Sequence, residues 1–339
     1  MIKEGLVFDD VLLVPQHSEV TSRGAVDLSV TVASRQYKHP IIPANMKTIT
    51  GKKLAEQIAE TGGLSVLHRF MPLEEQIATA KSLIEKYGSS PVGVSVGVKN
   101  NDKEIVDMFY NVGVKVICID IAHGDSNHCI DMTAWIKNKY PDTMVISGNV
   151  ATGSGARNLW EAGADIVKVG VGPGSLCTTR IETGNGVPQL TAIMEVAEVK
   201  KEMITRYRAA GKPREFPFIA DGGIKNAGDI VKALCFADMV MAGNLFAGSE
   251  ETPGDIMLVD GIPHKQYVGS STHKANHIEG VAAFVQCKGK FKDILGKLLE
   301  GIKSGMSYQN STNLIELKKN PEFIKITNAG LIESHPHNI

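Results

Sequence analysis

The sequence predicts an α/β protein folded as a (β/α)8 TIM barrel, and three observations predict it. Eight short apolar, β-favouring runs recur along the 339-residue chain. A helix-like segment closely follows each of them. The residues with the most chemical potential gather just beyond the runs. Runs that are apolar almost throughout read as strands covered on both faces, the mark of a parallel sheet. A doubly wound open sheet is the alternative, but it rarely supplies eight consecutive regular units. A barrel of this kind takes about 250 residues as one domain. Residues 1–339 are therefore predicted as one barrel domain with two additions, an N-terminal arm over 1–38 and a mobile flap over 253–289.

Taken in order, the arm carries "FDDVLLVPQHSEV" from Phe8, which could form a hairpin or cover the barrel bottom. The strand candidates are "IIPAN" from Ile41, "LSVLHR" from Leu64, "VGVSVGV" from Val92 and "VKVICID" from Val114. They continue with "TMVISGN" from Thr143, "DIVKVG" from Asp165, "FPFIADGG" from Phe216 and "ADMVMAG" from Ala237. Between them lie helix patterns such as "GKKLAEQIAETG" from Gly51 and "KEIVDMFYNVG" from Lys103. Several end in glycine, as a helix C-terminus favours. The polar stretch from Pro253 to Gly289 reads as a lid over the strand ends.

Composition narrows the function classes. With 36 basic and 37 acidic residues and no basic block, nucleic acid and anionic membrane are not expected as main partners. No apolar run approaches the ~18 residues that span a bilayer. The start, "MIKEGLVFDD", has acids where a signal peptide would have its apolar segment. Five cysteines without paired spacing point to reduced thiols. The expectation is a soluble cytoplasmic protein.

The residues after the strands carry the chemistry, as barrel active sites require. They are Asn45 and Met46, His68 and Arg69, Asp120 and His123, Asn149, the Cys177 loop, Asp221 to Gly223, and Gly243 with Asn244. Glycines after the seventh and eighth strands let an anion approach backbone N–H groups, so Gly222, Gly223, Gly243 and Asn244 suggest a phosphate site. Glycines that merely allow tight turns are the plainer account. Asp221 beside them could accept ribose hydroxyls or cap the following turn. Cys118, Cys129, Cys235 and Cys287 read as core thiols. Cys177 differs: it lies in a glycine-rich polar loop next to Thr178, Thr179 and Arg180, a setting that favours thiolate. No adjacent histidine supports a protease-like pair.

At this loop the chain resembles a known family. "GVGPGSLCTTRIETGNGVPQL" is similar to the signature of the IMP dehydrogenase / GMP reductase family, and "FDDVLLVP", "PANM", "SGNVATG", "IADGGI", "GDIVKAL" and "EETPGDI" extend the likeness along the chain. The resemblance implies that Cys177 attacks C2 of a purine nucleoside monophosphate. It implies that Ser175, Gly222, Gly223, Gly243 and Asn244 hold the phosphate, Asp221 the ribose, and Asn45 and Met46 lie near the nucleotide. Ser270, Ser271 and Gly280 of the flap would join them. Arg69, Asp120, Ala122, Asn149 and Thr179 would face a nicotinamide cofactor, although Arg69 could instead meet a core carbonyl. The carbonyls of Gly172, Gly174 and Cys177 would surround a monovalent cation such as K+, and the assembly would be a homotetramer. Carbonyl oxygens suit an alkali ion.

Within the family the two branches run different chemistry. Dehydrogenases activate water with an arginine–tyrosine pair on the flap, yet the last arginine of this chain is Arg214, before the seventh strand. The reductases pair a flap glutamate with the second threonine after the cysteine, here matched by Glu279 and Thr179. Ala122 in "IDIAHG" also matches the reductases. Dehydrogenases commonly carry two regulatory (CBS) modules after the second strand; here 20 residues from Met71 to Ser90 fit one helix. The tail "ITNAGLIESHPHNI" is more like a dehydrogenase's. The expectation is NADPH-dependent reduction of GMP to IMP and ammonia. An NAD-dependent IMP dehydrogenase is the alternative. A non-catalytic nucleotide-binding protein, or a flavin or phosphosugar barrel sharing only the phosphate site, stands further off.

Overall fold

The computed structural model of the chain describes residues 2–99, 101–269 and 281–336. All eight expected runs form strands: β4 (Ile41–Pro43), β5 (Ser65–Leu67), β6 (Val92–Val96), β7 (Val116–Asp120), β8 (Met144–Val150), β9 (Ile166–Val169), β10 (Phe218–Asp221) and β11 (Met239–Ala242). They pair in parallel in the order β4-β11-β10-β9-β8-β7-β6-β5, so the sheet curls into a nearly closed barrel. Helices alternate with them: α1 (Lys52–Glu60), α2 (Leu73–Tyr87), α3 (Asp102–Asn111), α4 (Asn127–Lys139) and α5 (Gly153–Glu161). A short α6 (Thr179–Thr183), then α7 (Gln189–Ala209), α8 (Ala227–Leu234) and α9 (Phe291–Tyr308), complete the ring. The segment between β5 and β6 is the single helix α2, with no inserted module.

The two-residue period of a strand divides the core in two. Outward residues such as Ile117, Val167 and Phe218 pack under the helices in one large cluster. Inward residues such as Val116, Cys118, Ile146, Ile166, Ile219 and Met241 fill the barrel lumen in another. Towards the C-terminal ends of the strands this inward row turns polar. Cys118 is followed two residues on by Asp120, Ile166 by Lys168, and Ile219 by Asp221. Apolar residues thus seal the lower lumen, and the charged groups open into the mouth.

The arm differs from its expected form. "FDDVLLVP" makes a 3-10 turn and the strand β1 (Val11–Leu13), which pairs antiparallel with β15 (Phe323–Lys325) near the C-terminus. The hairpin is made instead by β2 (Val30–Val32) and β3 (Arg35–Tyr37). Its Val32 and Tyr37 belong to the lumen cluster, so this hairpin plugs the barrel bottom. The flap is an antiparallel sheet of β12 (Met257–Val259), β13 (Ile262–Val268) and β14 (Ala282–Gln286). Buried Lys265 donates to the carbonyls of Glu250 at 2.9 Å and Thr252 at 2.6 Å, tying that sheet to the turn after β11. The helices α10 (Leu314–Leu317) and α11 (Asn328–Glu333) close the chain.

Candidate active site

Two adjoining cavities of about 250 and 280 Å³ open at the C-terminal mouth of the barrel and share Met46, Ser175, Asp221, Gly222 and Tyr267. The first is lined by Cys177 and Thr179 together with Asn45, Arg69, Asp120, Ala122 and Asn149. The second is lined by Gly222, Gly223, Gly243 and Asn244, with Phe8 and Asp9 of the arm and Lys225 at its edge. One continuous cleft therefore collects residues that lie more than 200 positions apart in sequence.

Backbone geometry explains the glycine-rich loop. Gly222 has φ of +89°, and a Cβ there would lie 2.9 Å from Pro173 Cγ, so the two strand-end loops touch only because it is glycine. Gly170 is tighter still, since a Cβ there would sit 2.0 Å from the Asp221 carbonyl oxygen. Arg180 braces the loop from inside: its Nε donates to the Val171 carbonyl at 3.2 Å and Nη2 to that of Val187 at 2.5 Å. This guanidinium is committed to carbonyls, a role the sequence reading did not foresee. The Cys177 thiol, half-buried in the cleft, donates to Thr179 Oγ1 at 3.2 Å. The two stems of the flap grip the neighbouring residue, because the Val281 amide donates to the Leu176 carbonyl at 3.1 Å and to Val281 in turn comes the Gly269 amide at 2.9 Å.

The other cysteines divide as burial dictates. Cys118, Cys129 and Cys235 are buried, whereas Cys287 is half-exposed rather than in the core. Burial pushes the Cys129 thiol up to about 12, and it holds Cys118 above the usual thiol range. These are inert thiols.

At the floor of the cleft lies a charge cluster. Lys168 is only 2% exposed. Its Nζ donates to Asp221 Oδ2 at 2.7 Å and to Asp120 Oδ1 at 3.1 Å. Burial opposes its charge, but the attraction of Asp221 and Asp120 outweighs that penalty and holds the ammonium protonated above the usual lysine range. Asn149 Nδ2 also donates to Asp221 Oδ2, at 2.9 Å, and to the Gly170 carbonyl at 2.7 Å. Asp221 is thus fixed by two side chains through one oxygen and does not cap the following turn. That turn is capped by Asn226, whose side chain accepts the Asp229 amide at 2.9 Å.

The sequence reading missed two residues. Lys168 was legible as a charge inside an apolar strand, which is rare unless paired. Tyr267 on β13 is 4% exposed and lines both cavities. Burial raises its hydroxyl pKa, and a hydrogen bond with Ser175 works against that rise. Glu279, Ser270, Ser271 and Gly280 lie outside the described residues. Two buried polar atoms in the lining of the first cavity, Arg69 Nε and Asn149 Oδ1, lack a protein partner among the described residues. Arg69 therefore does not spend its Nε on a core carbonyl, and the lining has polar capacity suited to a cofactor. Of the three expected cation-facing carbonyls, that of Gly174 already accepts the Cys177 amide at 3.1 Å. Among the described residues no helix is long and apolar enough to cross a membrane.

Comparison with known proteins bears on the family and the fold. Residues 5–337 match the family model described as the IMP dehydrogenase / GMP reductase domain. The chain is 41% identical over 304 residues to the inosine-5'-monophosphate dehydrogenase of Chlorobaculum tepidum, covering 83% of this chain and 59% of that protein. It therefore spans about three fifths of that relative's length. It is 38% identical over 321 residues to the GMP reductase of Pediococcus pentosaceus, covering 92% of this chain and 94% of the relative. Among solved structures, a GMP reductase variant from Trypanosoma brucei in complex with guanosine 5'-monophosphate superposes with a TM-score of 0.89 at 28% identity, covering 100% of this chain and 98% of the other.

Proposed function

Because the chain belongs to the IMP dehydrogenase / GMP reductase family, we propose that it is an oxidoreductase of the reductase branch, converting GMP to IMP and ammonia with NADPH. The observation that carries this reading is the lack of any arginine after Arg214. Arg214 itself is engaged far from the cleft, donating to the carbonyls of Trp160 at 2.9 Å and Ala164 at 2.7 Å. The flap then has no arginine to activate water, and hydrolysis of a C2 adduct lacks its base.

In the proposed reaction the phosphate rests against Ser175, Gly222, Gly223, Gly243 and Asn244, and Asp221 accepts the ribose hydroxyls through Oδ1. Asn45 and Met46 lie along the nucleotide. Cys177 forms a bond from Sγ to C2 of GMP while its proton passes through the Thr179 hydroxyl, 3.2 Å away, towards the departing amino group. Breaking the C2–N2 bond releases ammonia, protonated through Thr179 with Glu279 at the far end of the relay. Arg69, Asp120, Ala122 and Asn149 would hold NADPH, which when bound would supply the hydride that the C2 adduct needs. The C–S bond then breaks and returns the thiolate. The balance is GMP + NADPH + 2 H+ giving IMP + NADP+ + NH4+. The carbonyls of Gly172, Gly174 and Cys177 are hard donors that would suit a K+ ion steadying this loop.

The 41% identity to an IMP dehydrogenase favours the second reading, oxidation of IMP with NAD. One experiment separates them. Purified protein with GMP and NADPH is expected to lose absorbance at 340 nm and release ammonia. A gain of absorbance with IMP and NAD reverses the assignment, and no change in either mixture removes both.

A further inference from the structure

We infer that Lys168 is a positioning residue shared by the two halves of the cleft, setting the nucleotide-side carboxylate of Asp221 and the cofactor-side carboxylate of Asp120 with one ammonium. The inference rests on the functional reading above for the identity of the two ligands. Its geometry does not: Nζ lies 2.7 Å from Asp221 Oδ2 and 3.1 Å from Asp120 Oδ1, on a side chain 3% exposed.

Three features make this more than a buried ion pair. The three residues come from β9, β7 and β10, so no local turn can hold the carboxylates together. Each aspartate meets Lys168 through a single oxygen, which leaves its other oxygen for a ligand. The ammonium also stands between two half-buried carboxylates that would otherwise face one another uncompensated. The other groups that face the cluster are Asn149 on β8, Cys118 on β7 and Tyr267 on β13, with Arg69 and Lys47 lining the same cavity above it. Asn149 is neutral and Cys118 is a buried neutral thiol, so neither can replace the ammonium, and Lys168 is the cation hydrogen-bonded to both carboxylates.

Lys168 touches neither reacting atom in this arrangement; it acts through the aspartates. Removing it loosens both ligands together, whereas a residue serving one subsite would affect only one. Removing it also adds a pH dependence beyond that of the nucleotide phosphate, because a proton must then do what the ammonium did.

The test measures GMP binding by calorimetry and steady-state kinetics for the wild-type protein, Lys168→Arg, Lys168→Met and the double variant Lys168→Met/Asp120→Asn. Lys168→Met is expected to raise KM for GMP and for NADPH by at least about tenfold each, the scale of an unpaired buried charge, with a smaller change in kcat. Its GMP affinity relative to the wild type should improve as pH falls from about 8 to about 6, the ratio cancelling the titration of the nucleotide phosphate itself. Adding Asp120→Asn should restore most of the GMP affinity and leave the NADPH defect, and Lys168→Arg should keep GMP binding. Equal loss in all variants without pH dependence or rescue overturns the inference, as does unchanged binding in Lys168→Met. Should Lys168→Met fail to fold, Asp120→Asn alone decides: at least a threefold change in GMP Kd is expected, and an unchanged Kd overturns the coupling. A wild-type protein that binds neither GMP nor IMP overturns the functional reading itself, a different outcome from any of these.

Discussion

Cys177 and Thr179 are the residues on which the proposed chemistry turns. Cys177→Ala is expected to lower turnover on the order of 10⁴-fold or more, as loss of a covalent nucleophile does, while calorimetric binding of GMP persists. Full activity in that variant would rule out a covalent adduct. Thr179→Val removes the hydroxyl 3.2 Å from Sγ. It should lower kcat by about 10²-fold, the smaller end of what a positioned proton carrier contributes, with little change in KM. Cys177 was legible because a thiol amid glycines and threonines is out of place in a core. Arg180 was legible only as a charge beside it. That it binds the Val171 and Val187 carbonyls follows from the loop's path, which no spacing of residues encodes.

Among the elements, the eight strands and the helices between them were readable because burial on both faces writes itself into continuous apolar runs. The hairpin was not. Val30–Tyr37 alternates weakly, and its turn uses Ala33 and Ser34 at φ of +47° and +62° instead of glycine. What holds it is the barrel bottom: Tyr37 is 2% exposed and donates to the Ser90 carbonyl at 3.0 Å. Tyr37→Ala should therefore cost about 3 kcal/mol or more of stability by leaving a cavity in the lumen, measured by urea unfolding. The flap predicts a different signature. Lys265→Met leaves the Glu250 and Thr252 carbonyls without their donor, which should cost about 1–3 kcal/mol locally. Faster amide hydrogen exchange in β13 and β14, with β7 and β8 unaffected, is the expected observation.

For the whole molecule, two buried histidines couple stability to pH. Burial holds His39 at about 4, against the opposing pull of the Ile41 backbone. Burial also holds His68 at about 4, with the charge of Lys47 acting in the same direction. Both folded values lie below the unfolded value of 6.5. Above that pH both states are neutral and stability is complete. As pH falls from 6.5 towards 4 the unfolded chain binds protons that the folded one refuses, so stability is lost. Each group accounts for up to about 3 kcal/mol. The urea midpoint should drop across this window, and drop less in His39→Gln; an equal slope in that variant would remove His39 from the account. Taken alone, the sequence determined the barrel, the family and the loop that carries the cysteine, because these rest on local pattern and contiguous motifs. Only the tertiary structure decided that Lys168 stands between Asp120 and Asp221, that Tyr267 reaches both cavities and that the arm closes one edge of the cleft. Those relations join strands and segments distant in sequence, and only the curvature of the nearly closed sheet brings their ends together.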